Sequence, residues 1–475
     1  MKRGKLLLEN ILIYGFGGVI VKVIPFIMLP IITRIMPSSS YMGINDMFTV
    51  VVSFGTILAT MGMYDSLFRL YFEYEDENYR KEMCSTAFTV VLVLSIVLSI
   101  IITIFRNVFS KIFWGSSEYS YLCILLAINI FMAAINTITI APTRMQNNRK
   151  IYLLSNTLTP LISYSMAIFV LLKGHYVTAL PIATVVSVSV IGILFWVVNH
   201  SWFSIRKFKF DFLKKLLKIG LPLVPTFLIY SIFSSCDRFM ITNMIGLEAN
   251  GVYAVGSKMG QLSQLIYTAF TGGWQFFAFS TMKDDDQVEL TSKIMEYLGA
   301  VSCIASIGMM AISQFLFSFL FEEEYFEGYI VSPYLFAAPL LLMLYVIISN
   351  QFLVVKKTWI GLIILVSSVS CNIIMNYFLI PVIGIEGAAI GTAFSYFLIL
   401  FLGCTVAQKI GLISLSKRFL LSTILLGIYG GLWRTGLHES TVKGIAVAIV
   451  FCGMYVLLYW KEIGTLKDKL LKKDR

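Results

Sequence analysis

The chain has 475 residues, 58% of them hydrophobic and only 13% charged, with a formal net charge of +11 and a mean hydropathy of +0.84. A soluble fold of this length needs a charged surface that such a composition does not supply. The basic balance points to Lys- and Arg-rich loops beside membrane spans, not to nucleic acid.

Apolar runs long enough to cross a hydrocarbon core of about 30 Å recur along the chain. In chain order, fourteen spans are expected: 10–33, 44–68, 83–105, 119–141, 151–172, 177–198, 219–245, 251–280, 295–321, 332–355, 359–380, 385–408, 419–435 and 443–460. Backbone polar groups must be satisfied inside lipid, so this many runs imply an all-α integral membrane bundle and not a barrel. The opening "MKRGKLLLENILIYG" looks like a signal peptide. Its apolar run continues past Ile20 without an A-x-A-like site, so an uncleaved first span is expected.

With the N-terminus placed inside, 28 of the 37 Lys and Arg residues fall in inner segments. Outside are Arg34, Arg106, Lys111, Lys173, Arg434 and Lys443, and within spans are Lys22, Arg238 and Lys258. Both termini are therefore expected to be cytoplasmic. The seven cysteines are scattered singly without a C-x-x-C and read as small packing residues.

"ITRIMPSSSYMGIND" from Ile32 resembles "ITNMIGLEANGVYAV" from Ile241. Gly43 aligns with Gly251, and the second and eighth spans then align without gaps. Asn45, Thr49, Ser53, Thr56, Thr60 and Met63 fall on Tyr253, Ser257, Gln261, Gln264, Thr268 and Thr271, each set advancing by three or four residues along one helix face. Two parallel six-span lobes are expected, 1–198 and 219–408, joined by the basic linker 199–218 and followed by 409–475, with two added spans and a basic tail. The linker "SWFSIRKFKFDFLKKLLK" is partly amphipathic and is expected on the inner membrane surface.

Small hydroxylated residues in spans serve helix packing in many proteins. Gln261, Gln264 and Gln275 are larger, and favour a wet cavity between the lobes. Ser231, Ser235, Arg238 and Thr242 share one face of the seventh span, and Asp237 stands beside Arg238 as a partner for it or for Lys258. Ionisable groups at membrane depth cost about 3 kcal/mol or more, so they commonly face cavities and mark substrate routes. Lys22, Arg238 and Lys258 outnumber Asp237 there, and such a surplus suits an anionic, phosphorylated group. The candidate substrate-binding residues are thus Lys22, Arg238, Lys258, Gln261, Gln264, Asn45, Thr49 and Ser235. Asp237 and Asp46 are candidates for ion coupling, with Glu386 a further carboxylate for that role.

"LPIITRIMPSSSYMGINDMF", "DRFMITNMIGLEANGVYAVGSKMGQLSQL" and "NYFLIPVIGIEGAAIGTAFSY" resemble polysaccharide biosynthesis proteins of the Wzx type, within the multidrug/oligosaccharidyl-lipid/polysaccharide exporter superfamily. The resemblance implies a V-shaped, MATE-like transporter in the bacterial cytoplasmic membrane, expected as a monomer. Its cargo would be undecaprenyl-diphosphate-linked oligosaccharide, with membrane lipids and a polysaccharide polymerase as partners. The three-arginine pattern of the related lipid II flippase is not evident on the first span, where Lys22 stands alone.

A multidrug cation exporter of the same superfamily is the nearest rival; lumen cations would repel its cargo. A membrane enzyme of the same pathway is the other. His175, His200 and His438 lie far apart in loops, "KDDDQ" at 283–287 reads as a solvated charge run, and no H-E-x-x-H, P-loop or G-x-S-x-G pattern is present. No catalytic group, metal or cofactor is expected.

Overall fold

The computed structural model describes residues 23–73, 76–146, 148–280, 285–460 and 462. Among them there are helices and turns but no strand. The chain divides into two units, Met1–Ala254 with Asn376–Ile385, and Val255–Met375 with Glu386–Arg475. The seventh expected span therefore groups with the first unit.

The first unit holds α1 (Val23–Ile35), α2 (Ser40–Thr60), α3 (Met63–Tyr71), α4 (Glu77–Ile104), α5 (Arg106–Trp114), α6 (Leu122–Thr139), α7 (Ala141–Met145), α8 (Arg149–Leu171), α9 (Tyr176–Asn199), α10 (Phe210–Gly220) and α11 (Leu223–Met244). Local chemistry sets several boundaries. α2 stops where Met61 and Gly62 turn left-handed (φ 46° and 68°). A methyl on Gly62 would come within 2.5 Å of the Gly220 carbonyl, so α10 closes tightly on this break. Asp76 caps α4 by accepting from the Tyr79 amide at 3.1 Å.

The core of this unit is built from Met47, Phe48, Met83, Leu126, Ile130 and their neighbours. In lipid the hydrophobic effect does not drive helices together, so close packing and interhelical hydrogen bonds must. Three asparagines tie α6 to α9: Asn129 Nδ2 donates to Thr184 Oγ1 (3.1 Å), Asn136 Nδ2 to the Val188 carbonyl (2.7 Å) and Asn199 Nδ2 to the Thr139 carbonyl (2.7 Å). Val93, Val97, Ile100 and Ile104 form an exposed apolar stripe on α4, a face suited to lipid chains.

α12 (Leu247–Gly260) leaves the first unit within its length and enters the second. The second unit continues with α13 (Gln264–Ser280), α14 (Gln287–Leu320), α15 (Gly328–Val354), α16 (Thr358–Lys409) apart from its stretch Asn376–Ile385, α17 (Lys417–Thr435) and α18 (Thr441–Leu458). Within it α14 packs against α15, α17 and α18. At 1.5 Å per residue the 52 residues of α16 would reach about 78 Å, far beyond one bilayer core. Non-helical Ile383 and Gly384 (φ 61°) divide it into the expected eleventh and twelfth spans.

Nine helices among the described residues are long and apolar enough to cross a membrane, or ten if the bent pair α10–α11 counts as one span. The expected fourteen is not reached by this criterion. The eighth expected span, 251–280, is interrupted by a 3₁₀ turn at Gln261–Ser263 between α12 and α13. α17 is not among the nine, and most of the first expected span lies outside the described residues.

Candidate functional site

α2, α11 and α12 bring three of the expected residues, Asp46, Asp237 and Arg238, into one polar network of the first unit. Arg238 on α11 points at α2, with its Nε 2.9 Å from Asp46 Oδ2; both side chains are only 12–13% exposed. The same guanidinium donates from NH1 to the Ser234 carbonyl at 2.6 Å. Asp237, its neighbour, is buried. Its Oδ1 accepts from the Arg238 amide at 2.8 Å, and its Oδ2 accepts from the hydroxyl of fully buried Tyr253 on α12.

Among the described residues, two carboxylates, Asp46 and Asp237, stand beside Arg238. The reason is helix adjacency: α11 packs on α2 and sets Asp46 against the arginine. Asp237, for its part, meets the Tyr253 hydroxyl, which occupies the repeat position of Asn45.

The helix crossing beside this network allows no side chain at its closest point. A methyl on Gly43 would lie 2.0 Å from the Leu247 carbonyl, and one on Gly251 would lie 1.9 Å from the Ser39 carbonyl. Asn250 Nδ2 adds a bond to the Gly43 carbonyl at 3.2 Å.

The hydroxyl face of α2 is partly open. Asn45 is buried, whereas Thr49 and Ser53 are exposed. Thr49, Ser53, Thr56 and Thr60 each donate to the carbonyl four residues back, at 2.7–2.9 Å. These hydroxyls are therefore satisfied within their own helix and do not by themselves require a wet cavity. Ser235 is buried and lines an apolar cavity of about 450 Å³ with Val50, Val51, Phe54, Cys236 and Phe239.

The remaining expected residues lie elsewhere. Lys22 is outside the described residues. Lys258, Gln261 and Gln264 belong to the second unit, where Lys258 is half-buried at the end of α12 and Gln261 is exposed on the 3₁₀ turn. That turn breaks the single helical face on which Ser257, Gln261 and Gln264 were expected to line up.

Sequence reasoning did not find a second charged cluster, within the second unit. Glu386 on α16 is nearly buried and is held bidentately by Arg434 of α17, with NH2 2.9 Å from Oε2, while Tyr334 donates to Oε1 at 3.2 Å. A carboxylate so engaged reads as a fastening between helices before it reads as an ion-coupling group. Among the described residues no three His, Cys, Asp or Glu side chains are placed to hold a metal ion.

Residues 31–329 match the family described as "Polysaccharide biosynthesis protein". The chain belongs to the polysaccharide biosynthesis protein family. No curated protein sequence matches it. Among solved structures this family member is similar to the lipid II flippase MurJ in an inward closed conformation, with a TM-score of 0.74 at 14% identity, covering 95% of this chain and 100% of that one. It is also similar to an inward-facing multidrug resistance MATE family transporter of the MOP superfamily, with a TM-score of 0.65 at 16% identity, covering 82% and 94%. A point mutant of the Vibrio cholerae MATE transporter VcmN follows with a TM-score of 0.56 at 14% identity, covering 88% and 98%. The fold of this polysaccharide biosynthesis protein is thus the MurJ/MATE fold.

Proposed function

We propose that the protein is a flippase that moves undecaprenyl-diphosphate-linked oligosaccharide from the inner to the outer leaflet of the bacterial cytoplasmic membrane. One observation carries this reading: a member of the polysaccharide biosynthesis family has, over 95% of its length, the fold of a lipid II flippase. Surface polysaccharide such as O-antigen, capsule or exopolysaccharide is the product served, with a polymerase of the pathway acting next. The protein moves its cargo and does not transform it.

In this proposal the two repeat-related lobes, 1–198 and 219–408, alternate access around a central path, with both termini cytoplasmic. Lys22 and Lys258 attract the diphosphate. Arg238 joins them when the headgroup replaces Asp46 as its partner, since a diphosphate offers the guanidinium the same paired oxygens with more charge. Gln261, Gln264 and Thr49 face the sugars. Released Asp46, with Asp237, is the candidate for proton or Na⁺ exchange, and the membrane potential assists outward movement of the anion by about 2.3 kcal/mol per charge per 100 mV.

The deciding experiment is to delete the gene and identify the lipid that accumulates. A lipid-linked glycan trapped on the inner leaflet, cleared by the wild-type gene, is the expected result. If no such lipid builds up while sensitivity to cationic dyes rises, the protein is a multidrug exporter. The two carboxylates beside Arg238 are the feature that favours that rival.

A further inference from the structure

The connector between α9 and α11 turns the usual logic of an amphipathic helix around. Its apolar stripe faces protein: Trp202, Phe203 and Leu216 belong to the core of the first unit, and Phe212 is buried as well. The segment is tied down along its length. The Ser204 amide donates to Ser85 Oγ at 3.0 Å, the Lys209 amide donates to Thr86 Oγ1 at 3.2 Å, and Lys209 Nζ lies 2.7 Å from Glu82. Tyr79 meets Phe212 edge-on at 4.6 Å.

What remains outside is a second, mixed surface. Ile205, Phe208 and Phe210 are 59%, 37% and 61% exposed. They stand among exposed Arg206, Lys207, Lys214 and Lys218, and Lys214 Nζ lies 5.1 Å from the Phe210 ring. Acidic offsets are few: Asp211 lies in the run, Glu82 is paired with Lys209, and Glu77 is paired with Lys81. α10 is bent 45° from α11, so it does not simply continue that span. Large apolar side chains interleaved with cations, beside the ends of two membrane helices, match a leaflet surface better than a free polyanion.

We propose that residues 205–218 form a docking surface for the anionic phospholipid headgroups of the leaflet they border. Ile205, Phe208 and Phe210 enter the acyl boundary, and Arg206, Lys207, Lys214 and Lys218 hold the phosphates. The surface is independent of the transported cargo and requires only that the protein spans a membrane. Its own apolar stripe is used internally, where α10 packs against α3 and α4.

The test uses the full-length protein in uncharged detergent, stripped of lipid and offered equal phosphatidylglycerol and phosphatidylcholine, with bound lipid counted by native mass spectrometry. The wild type should favour phosphatidylglycerol by about threefold or more. R206Q/K207Q/K214Q/K218Q should bring the ratio close to one, whereas K111Q/K173Q/K443Q should leave it unchanged. F208S/F210S should lower total bound lipid and keep the ratio. Should the quadruple variant fail to fold, R206Q/K207Q alone should still halve the preference. Absence of a preference in the wild type overturns the proposal, as does its survival in the basic-patch variants or its equal loss in the control. Displacement of phosphatidylglycerol by millimolar inorganic phosphate also overturns it, by showing a free-anion site.

Discussion

Gly43 and Gly251 meet in a reciprocal contact: each stands where a methyl would strike the carbonyl four residues before the other, at 2.0 and 1.9 Å. The two glycines, matched in the sequence, thus touch through the same kind of atom on each helix. Gly43→Ala and Gly251→Ala should therefore destabilise alike, each by about 1–3 kcal/mol or more of overpacking. Thermal unfolding of the purified variants in detergent checks this. The double variant should lose less than the sum, because one displacement of the helices relieves both clashes.

Arg238 and Asp46 form a nearly buried ion pair, and removing one partner takes a close opposite charge away from the other. Asp46→Ala or Arg238→Ala should each cost about 3–5 kcal/mol. The double Ala variant should be more stable than either single one. Under the proposed function it should nonetheless fail to export glycan, since the arginine is gone. Surface glycan staining next to melting temperature separates the two effects, and normal export by the stable double variant would remove Arg238 from the transport path.

Tyr253→Phe deletes the hydroxyl that donates to Asp237 and nothing else. An unsatisfied buried acceptor costs about 1–3 kcal/mol, and Asp237→Asn in the same background should recover part of it by removing the charge. A double-mutant cycle on unfolding midpoints measures the coupling. Additive effects would show that the two side chains act independently.

Glu386→Gln should loosen α17 by weakening the bidentate contact with Arg434, and Arg434→Lys should do so too, because an ammonium cannot reproduce the fork. Faster hydrogen exchange in 417–435 is the expected readout. Unchanged exchange would mean that the packing of α17 on α14 suffices.

The helical membrane fold was legible because lipid leaves a chain little choice: long apolar runs must be helices. Gly43 and Gly251 stood out in the sequence as matched glycines, and no larger residue fits at their crossing. The partner of Arg238 was not legible. Asp46 lies far away in sequence near the expected end of its span, and only the packing of α11 on α2 brings them together. The break at Gln261–Ser263 was also hidden, because glutamine and serine at helical spacing look like a continuous face. Lys22 stands outside the described residues, and the expected common site for Lys22, Arg238 and Lys258 belongs with the proposed function.

The hydroxyls on the open side of α2 have already committed their protons. Thr49, Ser53 and Thr56 each give theirs to a backbone oxygen one turn back, so toward any visitor they can only receive. Such a wall welcomes molecules rich in O–H and N–H groups and offers phosphate oxygens nothing. A sugar ring and a diphosphate passing through the same protein would thus be sorted by donor count: hydroxyls toward this helix, the anion toward whichever cation is free to meet it.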